Sequence, residues 1–186
     1  MRCKFVIALT LLLVTVCESL AVVPYSPSSN QSNHQYDDYV QYYTYRNERF
    51  GFYLRYPSYL RPFGEPTNGD GNTFYSRDGD VRVVCCAQFQ MGGESTQVLY
   101  YEEKASCLRK GCRITYEFAK NGKVVLSGYT KEGRIFYKKI VLCTLYGPAY
   151  GCNVDVIAYV DIEYKESRRS DGEAIVNLIK NFPYLP

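Results

Sequence analysis

Residues 113–139, RITYEFAKNGKVVLSGYTKEGRIFYKK, decide the fold of this chain. Three runs rich in aromatic and β-branched residues are separated by Asn121-Gly122 and by Glu132-Gly133. Asn-Gly between two such runs is a strong hairpin signal, because both residues tolerate the positive φ that a tight turn requires. Consecutive hairpins place neighbouring strands antiparallel. The stretch therefore predicts a meander of three strands, at 113–118, 124–130 and 134–143.

Further strands are predicted on both sides of this meander. Residues 49–56, RFGFYLRY, alternate apolar and polar side chains and stop at Pro57. Residues 72–75 and 80–89 follow as two more strands, and residues 153–164 form the last one. Successive side chains of a strand point to opposite faces, so Cys85 and Cys86 are predicted on opposite sides of the sheet. Tyr146-Gly147-Pro148 predicts a long loop at 143–152.

Two helices complete the pattern. Residues 95–110 have apolar side chains at helical spacing, at Val98, Tyr101, Ala105 and Leu108, and Gly111 suits the position after the helix end. Near residue 170, Ser170 and Glu173 match a capping box. One apolar stripe follows, and Pro183 ends it: Ala174, Ile175, Leu178, Ile179 and Phe182. The fold predicted is α+β, an antiparallel sheet of about six to seven strands covered by two amphipathic helices.

Residues 1–21 are predicted to be a signal peptide. Arg2 and Lys4 precede an apolar run at 5–16, and Ser19-Leu20-Ala21 provides a cleavage site of small residues. The apolar run is too short for a comfortable membrane span. We therefore expect a secreted or periplasmic protein with no membrane span after cleavage.

The charge balance argues against a nucleic-acid partner. Removing Arg2, Lys4 and Glu18 from the 22 basic and 19 acidic residues leaves 20 and 18, a net charge of +2. A nucleic-acid binder concentrates basic residues on one face or one helix. Arg168-Arg169 and Lys138-Lys139 are short pairs typical of a solvated surface.

Residues 22–44 are predicted to be a linker, followed by one domain at 45–186. The linker sequence, VVPYSPSSNQSNHQYDDYVQYYT, is rich in Tyr, Ser and Asn and has few aliphatic residues. Such a segment buries too little apolar surface to offset its ordering entropy. The single histidine of the chain, His34, lies in it.

The order of the motifs resembles a group of small secreted bacterial proteins with a PsbP-like fold. RFGFYLRYP, NGDGNTFYSRDGDVRV, a helix, CRITYEF, VVLSGYTKEGRIFYKK and a C-terminal helix ending at Phe182 follow one another over residues 47–182. The same fold occurs in the photosystem II extrinsic protein PsbP, in a Ran-binding nuclear import factor and in DcrB envelope lipoproteins. The resemblance implies an α/β/α sandwich and a non-enzymatic domain that binds or assists a larger protein partner. It implies no catalytic residue and no cofactor.

The six cysteines outside the signal peptide are predicted to form disulfides, because an even set in an exported chain favours them. Cys143 and Cys152 would face each other across the predicted loop, and Cys107 and Cys112 straddle the end of the first helix. Cys85 and Cys86 remain as a strained adjacent pair, as partners of the other cysteines or as free thiols. A zinc site is the alternative, but the spacing does not match common zinc modules.

Residues 68–80, NGDGNTFYSRDGD, resemble a cation-binding loop because Asp and Asn alternate with Gly. An EF-hand frame that starts at Asn68 places Thr73 where Gly is needed and Gly79 where Glu is needed. We therefore interpret the stretch as two turns. Asp70, Asp78 and Asp80 are kept as candidate ligands of a weak calcium site.

No catalytic set is predicted. Histidine-dependent nucleophilic catalysis is disfavoured because His34 lies in the linker. Asp155 and Asp161 would stand roughly 20 Å apart on one strand, farther than the roughly 5–10 Å that glycosidases use. Asp161 and Glu163 are closer, but their position indicates a solvated edge. We expect a non-enzymatic binding or accessory protein, with an adhesive role of the Tyr-rich linker and a thiol-redox or hydrolytic enzyme as alternatives.

Overall fold

The computed structural model describes residues 40–184. The predicted signal peptide and residues 22–39 of the predicted linker lie outside this range. Within it, strands and two helices follow one another in this order: β1 (Tyr42–Arg46), β2 (Tyr53–Pro57), β3 (Leu60–Pro62), β4 (Gly71–Ser76), β5 (Val81–Phe89), α1 (Thr96–Arg109), β6 (Arg113–Lys120), β7 (Lys123–Tyr129), β8 (Ile135–Gly147), β9 (Cys152–Tyr164) and α2 (Arg169–Leu178).

The main sheet has seven strands in the order β3-β4-β5-β9-β8-β7-β6. Every neighbouring pair in it is antiparallel. A second sheet pairs β1 with β2, also antiparallel. The predicted α+β class and the predicted meander of β6, β7 and β8 are therefore confirmed.

The two helices lie on opposite faces of the main sheet. Ile175 and Ile179 of the α2 region join a core with Val83 of β5 and Val160 of β9. Leu99 and Cys107 of α1 join a second core with strand residues that point to the other side of the sheet, including Ile157 of β9. Because side chains of a strand alternate between faces, the two cores are separated by the sheet. We call these the α2 face and the α1 face.

The β6–β7 turn follows the Asn-Gly signal. Asn121 and Gly122 both have positive φ, at 52° and 73°, as a two-residue hairpin of this type requires. The Gly122 N–H donates to Thr96 Oγ1 at 2.9 Å. The turn is thereby joined to the first residue of α1, so the hairpin and the helix support each other.

The N-terminal strands differ from the prediction. β1 begins at Tyr42, inside the stretch predicted to be a linker, because β1 pairs with β2 and Tyr45 packs against the α2-face core. The strand predicted at 49–56 is formed only from Tyr53 onward. Gly51 has φ +75°, and Asn47 Oδ1 accepts from the Phe50 N–H at 2.7 Å. These features make a turn where the alternation predicted a strand.

The long loop predicted at 143–152 is not formed. β8 runs to Gly147 and β9 starts at Cys152, so only residues 148–151 connect them. The register pairs Tyr146 with Asn153, and Leu145 is buried in the α2-face core. Burial of Leu145 stabilises the strand through the region that Gly147-Pro148 indicated as loop.

Helix α1 faces the sheet with a different side from the one predicted. Val98, Tyr101 and Leu108 are 42%, 62% and 55% exposed. The buried residues are Leu99 and Cys107. Between them Glu103 accepts from Lys138 Nζ of β8 at 2.8 Å. The inner face of the helix is thus partly ionic, which an apolar stripe does not reveal.

Helix α2 begins differently from the prediction as well. A 3-10 turn at Glu166–Arg168 leads into it, and its N-cap, Arg168, makes no side-chain cap bond. Ser170 therefore lies inside the helix and forms no capping box. Ion pairs hold this end instead, with Arg168 on Asp171 at 2.5 Å and Arg169 on Glu166 at 2.7 Å. Ile175, Ile179 and Phe182 are buried as predicted, while Ala174 is exposed.

Candidate functional site

The structure does not bring Asp70, Asp78 and Asp80 together. Asp70 precedes β4 and bonds Arg49 Nη1 at 2.5 Å, whereas Asp78 follows β4 and pairs with Arg168. Asp80 pairs with Lys165 Nζ at 2.7 Å. The length of β4 separates Asp70 from the other two, and each carboxylate already has a cation. The stretch acts as two turns, and in residues 40–184 no group of three or more His, Cys, Asp or Glu residues lies close enough to hold a metal ion.

Cys85 and Cys86 take opposite faces of β5, as the alternation predicts. Cys85 is fully buried in the α2-face core, and burial raises the pKa of its thiol. Cys86 is half-buried, and burial raises the pKa of its thiol to about 11. Both thiols are therefore protonated at neutral pH, which makes them poor nucleophiles.

The strand register keeps Cys143 and Cys152 apart. Cys143 pairs with Val156, and Cys152 pairs with Gly147. Four residues along β9 amount to roughly 13 Å, well beyond the Cβ separation of about 4 Å that a disulfide needs. The six cysteines within residues 40–184 are free thiols in this structure, and disulfide bonding stays a prediction.

The acidic residues considered as catalytic candidates belong to ion pairs and hydrogen bonds of the sheet. Asp155 accepts from Thr144 Oγ1 at 2.6 Å. Glu163 pairs with Arg134 Nε at 2.6 Å, and Asp161 lies 3.8 Å from Lys138 Nζ. Burial raises the pKa of Asp161, while Lys138 opposes that rise. These contacts tie strand to strand and strand to helix.

The feature that stands out is the edge of β6, which is free of any further paired strand among residues 40–184. The sheet ends at β3 on one side and at β6 on the other. β3 has three residues and β6 has eight. An edge strand presents unpaired N–H and C=O groups to whatever approaches it. Tyr116 and Phe118 are 56% and 41% exposed on this strand, so the β6 edge combines free main-chain groups with exposed aromatic rings.

A cleft adjoins β6 on each face of the sheet. The α1-side cleft, about 580 Å³, lies between α1 and β6 and is lined by Lys104, Leu108, Cys112, Arg113, Ile114, Thr115, Tyr116 and Glu117. The α2-side cleft, about 420 Å³, lies between α2 and the strands β6, β7 and β8, with Tyr129, Tyr137 and Tyr164 among its lining residues. Thr115 lines both clefts. The two recesses therefore meet β6 at Thr115.

A β-bulge shapes the start of this edge. The β6–β7 register shifts between Ile114 and Tyr116, which leaves Thr115 as the extra residue. Thr115 Oγ1 donates to the Ser127 carbonyl at 3.4 Å, a long contact. From Tyr116 to Lys120 the pairing with β7 is regular. The regular part of β6 is thus five residues long.

Ion pairs and stacking set the charge around the β6 edge. Lys104 Nζ donates to Glu117 Oε2 at 2.8 Å and to Tyr100 Oη at 2.9 Å. The bond from Lys104 lowers the pKa of Glu117, and the bond to Glu117 raises that of Lys104. Arg113 lies over the Tyr129 ring, 4.5 Å from its centre. Arg113 and Lys120, at the two ends of β6, are exposed.

Sequence reasoning did not identify this site. The run RITYEFAK was predicted as a strand, but its position at the sheet edge depends on which strands pair over long distances. The available signal was the aromatic pair Tyr116 and Phe118 at even spacing, on a strand in which polar residues occupy half of the eight positions. That pattern indicates a strand with little burial on either face.

Comparison with solved structures finds a protein of similar fold. The crystal structure of LpqN, described as involved in cell envelope biogenesis of Mycobacterium tuberculosis, matches with a TM-score of 0.50 and 12% sequence identity. The match covers 84% of this chain and 96% of LpqN. At this identity the likeness concerns the fold alone.

No family model matches the chain, and no curated protein matches its sequence. The PsbP-like resemblance therefore stays a prediction. Within residues 40–184, neither helix has the length and apolar character to cross a membrane.

Proposed function

We propose that this chain is an exported, non-enzymatic accessory protein of the cell envelope or the secreted space, and that it binds another protein along β6. The observation that carries this proposal is the free edge of β6 between two clefts, both lined by Thr115. An extended segment that adds to an edge strand bonds through its main chain and directs alternate side chains to opposite faces. Near Thr115, each face of the sheet offers a cleft that could receive the side chains directed to that face.

The side chains on β6 indicate the kind of segment that fits. Tyr116 and Phe118 offer apolar area, and Tyr also offers a hydrogen-bonding tip. Arg113 and Lys120 place a positive charge at each end of the strand. A segment with β-branched or aromatic residues in its middle and acidic residues at its ends would complement this pattern.

The opposing interpretation is that β6 is a protected edge. Bulges and charged residues are devices by which native proteins prevent edge-to-edge pairing. β6 has a bulge at Thr115 and a basic residue at each end. However, the five regular residues carry two exposed aromatic side chains, which a purely protected edge would not need. The aromatic pair supports binding over protection.

The cellular location is supported by two independent observations. The N-terminal sequence predicts export. LpqN, which resembles this chain in fold, is involved in cell envelope biogenesis. Fold likeness is an analogy, since one fold hosts many functions. It agrees with an envelope role without naming the partner.

The proposal is tested by photo-crosslinking from defined positions in the native envelope and supernatant fractions. A photoreactive phenylalanine analogue is placed at Tyr116 or at Phe118, and at Tyr101 as the control. Tyr101 is an exposed aromatic residue on the outer side of α1. We expect both β6 positions to crosslink to one short segment of the same protein, and the control position not to do so. A synthetic peptide of that segment then serves as the probe in a binding titration.

Variants that introduce a negative charge give the matching affinity test. Tyr116→Glu and Phe118→Glu are expected to weaken binding of that peptide by about tenfold or more, on the scale of a lost interface anchor. Tyr101→Glu adds the same charge elsewhere and is expected to leave affinity unchanged. Equal affinity for all three variants, or crosslinks to different proteins from positions 116 and 118, would exclude the β6 edge as the binding site.

A further inference from the structure

The end of α1 is closed by a specific pair of backbone bonds. The Cys112 N–H donates to the Cys107 carbonyl at 3.0 Å, and the Gly111 N–H donates to the Leu108 carbonyl at 2.9 Å. Gly111 has φ +78°. These two bonds, made by the first and second residues after the helix end, together with a left-handed conformation at the first of them, define the Schellman motif. Side chains at its two outer positions commonly touch, and here both outer positions are cysteines.

The backbone bond limits the distance between these cysteines. With an N–O distance of 3.0 Å, standard bond lengths keep the two Cα atoms within about 7 Å of each other. Disulfides span Cα separations of about 4.4–6.8 Å. The backbone bond therefore holds the two Cα atoms close to the range that a disulfide requires.

The side chains point into the same surroundings. Cys107 is buried in the α1-face core, and Cys112 packs against that core. Both line one cleft of about 440 Å³, together with Lys110 and Lys131. Two sulfurs that share a cleft and a packing cluster, on residues already joined by a hydrogen bond, are placed to react with each other.

We propose that Cys107 and Cys112 form an intramolecular disulfide, which closes a ring at the junction of α1 and β6. The oxidant is a disulfide, either of low molecular weight or carried by a protein, of the kind present in oxidising compartments. One S–S bond forms in the chain while the S–S bond of the oxidant breaks. The two cysteine protons pass to the two thiols that the oxidant becomes, so electrons and protons balance.

The exposure of the two thiols sets the order of steps. Cys112 is partly exposed, whereas Cys107 is 5% exposed. Cys112 thiolate therefore attacks the oxidant first, and a mixed disulfide forms as one oxidant thiolate leaves. Cys107 then attacks the Cys112 sulfur and expels the second oxidant thiolate.

Cys85, Cys143 and Cys152 lack this arrangement. Cys85 is buried in the α2-face core, on the opposite side of the sheet. Cys143 and Cys152 are held apart by the register of β8 and β9. The proposal is independent of partner binding, because it rests on the helix end alone.

Peptide mapping tests the proposal on the whole mature chain. The protein is equilibrated in a glutathione and glutathione disulfide buffer, quenched in acid, denatured, alkylated and digested with trypsin. Cleavage after Lys104, Arg109, Lys110 and Arg113 places the two cysteines in separate peptides, ASCLR and GCR. We expect most of the protein to yield these two peptides joined, at two hydrogens less than the sum of their masses. Reduction before alkylation is expected to abolish the joined species.

Single-cysteine variants supply the controls. Cys107→Ser and Cys112→Ser are each expected to remove the joined peptide. Cys152→Ser changes an exposed cysteine at the start of β9 and is expected to leave the joined peptide intact. The proposal is overturned if both ASCLR and GCR carry the alkyl label in oxidised, folded protein. It is also overturned if ASCLR is joined instead to the peptide at 83–104, which contains Cys85 and Cys86.

Discussion

At the scale of single residues, Lys139 is the side chain with the most unusual surroundings. It is 6% exposed on the α2 face, although lysine is rarely buried without a charged partner. Its Nζ donates to the carbonyls of Ile179 and Lys180 at 3.0 and 2.8 Å. These carbonyls lie at the end of α2, where backbone acceptors lack helical partners. Lys139 therefore caps the second helix from the sheet.

Burial and, to a smaller extent, the nearby charge of Lys123 lower the pKa of Lys139 to about 8. The unfolded chain holds its proton up to about pH 10.4. Between these values the unfolded state binds more protons, so the contribution of Lys139 to stability rises as pH increases from about 8 to about 10.4. A neutral amine still has two N–H donors for the two carbonyls, which keeps the cap intact.

Comparison of the wild-type chain with Lys139→Met tests whether the contribution of Lys139 to stability rises with pH. The free energy of unfolding is measured by urea titration at pH 7 and at pH 10. We expect the wild type to gain stability relative to the variant at the higher pH, by about 1 kcal/mol or more. Taking the difference cancels the tyrosine and cysteine titrations common to both chains. If the wild type and the variant differ in free energy of unfolding by the same amount at both pH values, the pKa of Lys139 is not lowered by folding.

At the scale of elements, α1 illustrates why an apolar stripe can indicate the wrong face. The stripe of Val98, Tyr101 and Leu108 is exposed, while Leu99 and Cys107 are buried. The face was decided by long-range contacts, namely the Glu103–Lys138 ion pair and the Gly122 bond to Thr96. Neither contact is visible in the periodicity of residues 95–110 alone.

A pair of leucine variants tests the orientation of α1. Leu99→Ala is expected to destabilise the fold by about 2–4 kcal/mol, because it leaves a cavity in the α1-face core. Leu108→Ala makes the same chemical change on a 55% exposed side chain and is expected to cost less than about 0.5 kcal/mol. Both values come from chemical denaturation. The reverse ranking would mean that the helix packs with the face that the stripe predicted.

Whether the other elements could be predicted depends on whether local residues or distant strands form them. The hairpins at Asn121-Gly122 and Glu132-Gly133 could be predicted because turn chemistry is local. β1 could not, because its strand depends on pairing with β2, shown by Tyr43 and Tyr56 rings 5.9 Å apart. β3, three residues ending at Pro62, is likewise formed only through its partner β4.

At the scale of the whole molecule, the sequence predicts the class of fold better than its site. The α+β class follows from hairpins and helices, each of which is a local feature. The binding edge depends on the order of strands across the sheet, and that order places β9 beside β5. The residues of β6 indicate low burial, but they do not report which strands pair with it, so its place at the edge of the sheet could not be predicted from the sequence.

Removal of the Tyr-rich segment separates the proposed function from the adhesive alternative. Residues 22–39 can be deleted without touching β1, which starts at Tyr42. If the β6 edge binds the partner, the shortened chain is expected to retain both its crosslinks from Tyr116 and its melting temperature. Loss of crosslinking with an unchanged melting temperature would transfer the binding role to the deleted segment.

The position of β9 in the sheet also governs when the chain can fold. β9 lies between β5 and β8, yet it is made after both of them. Until β9 is available, β3, β4 and β5 have no strand that joins them to the meander of β6, β7 and β8, and pairing over such distances is intrinsically slow. A nascent chain that lacks β9 therefore cannot complete its sheet. Among residues 40–184, only the 3-10 turn at Glu166–Arg168 and α2 follow β9 in the chain, so the sheet is completed when nearly the whole domain has been made.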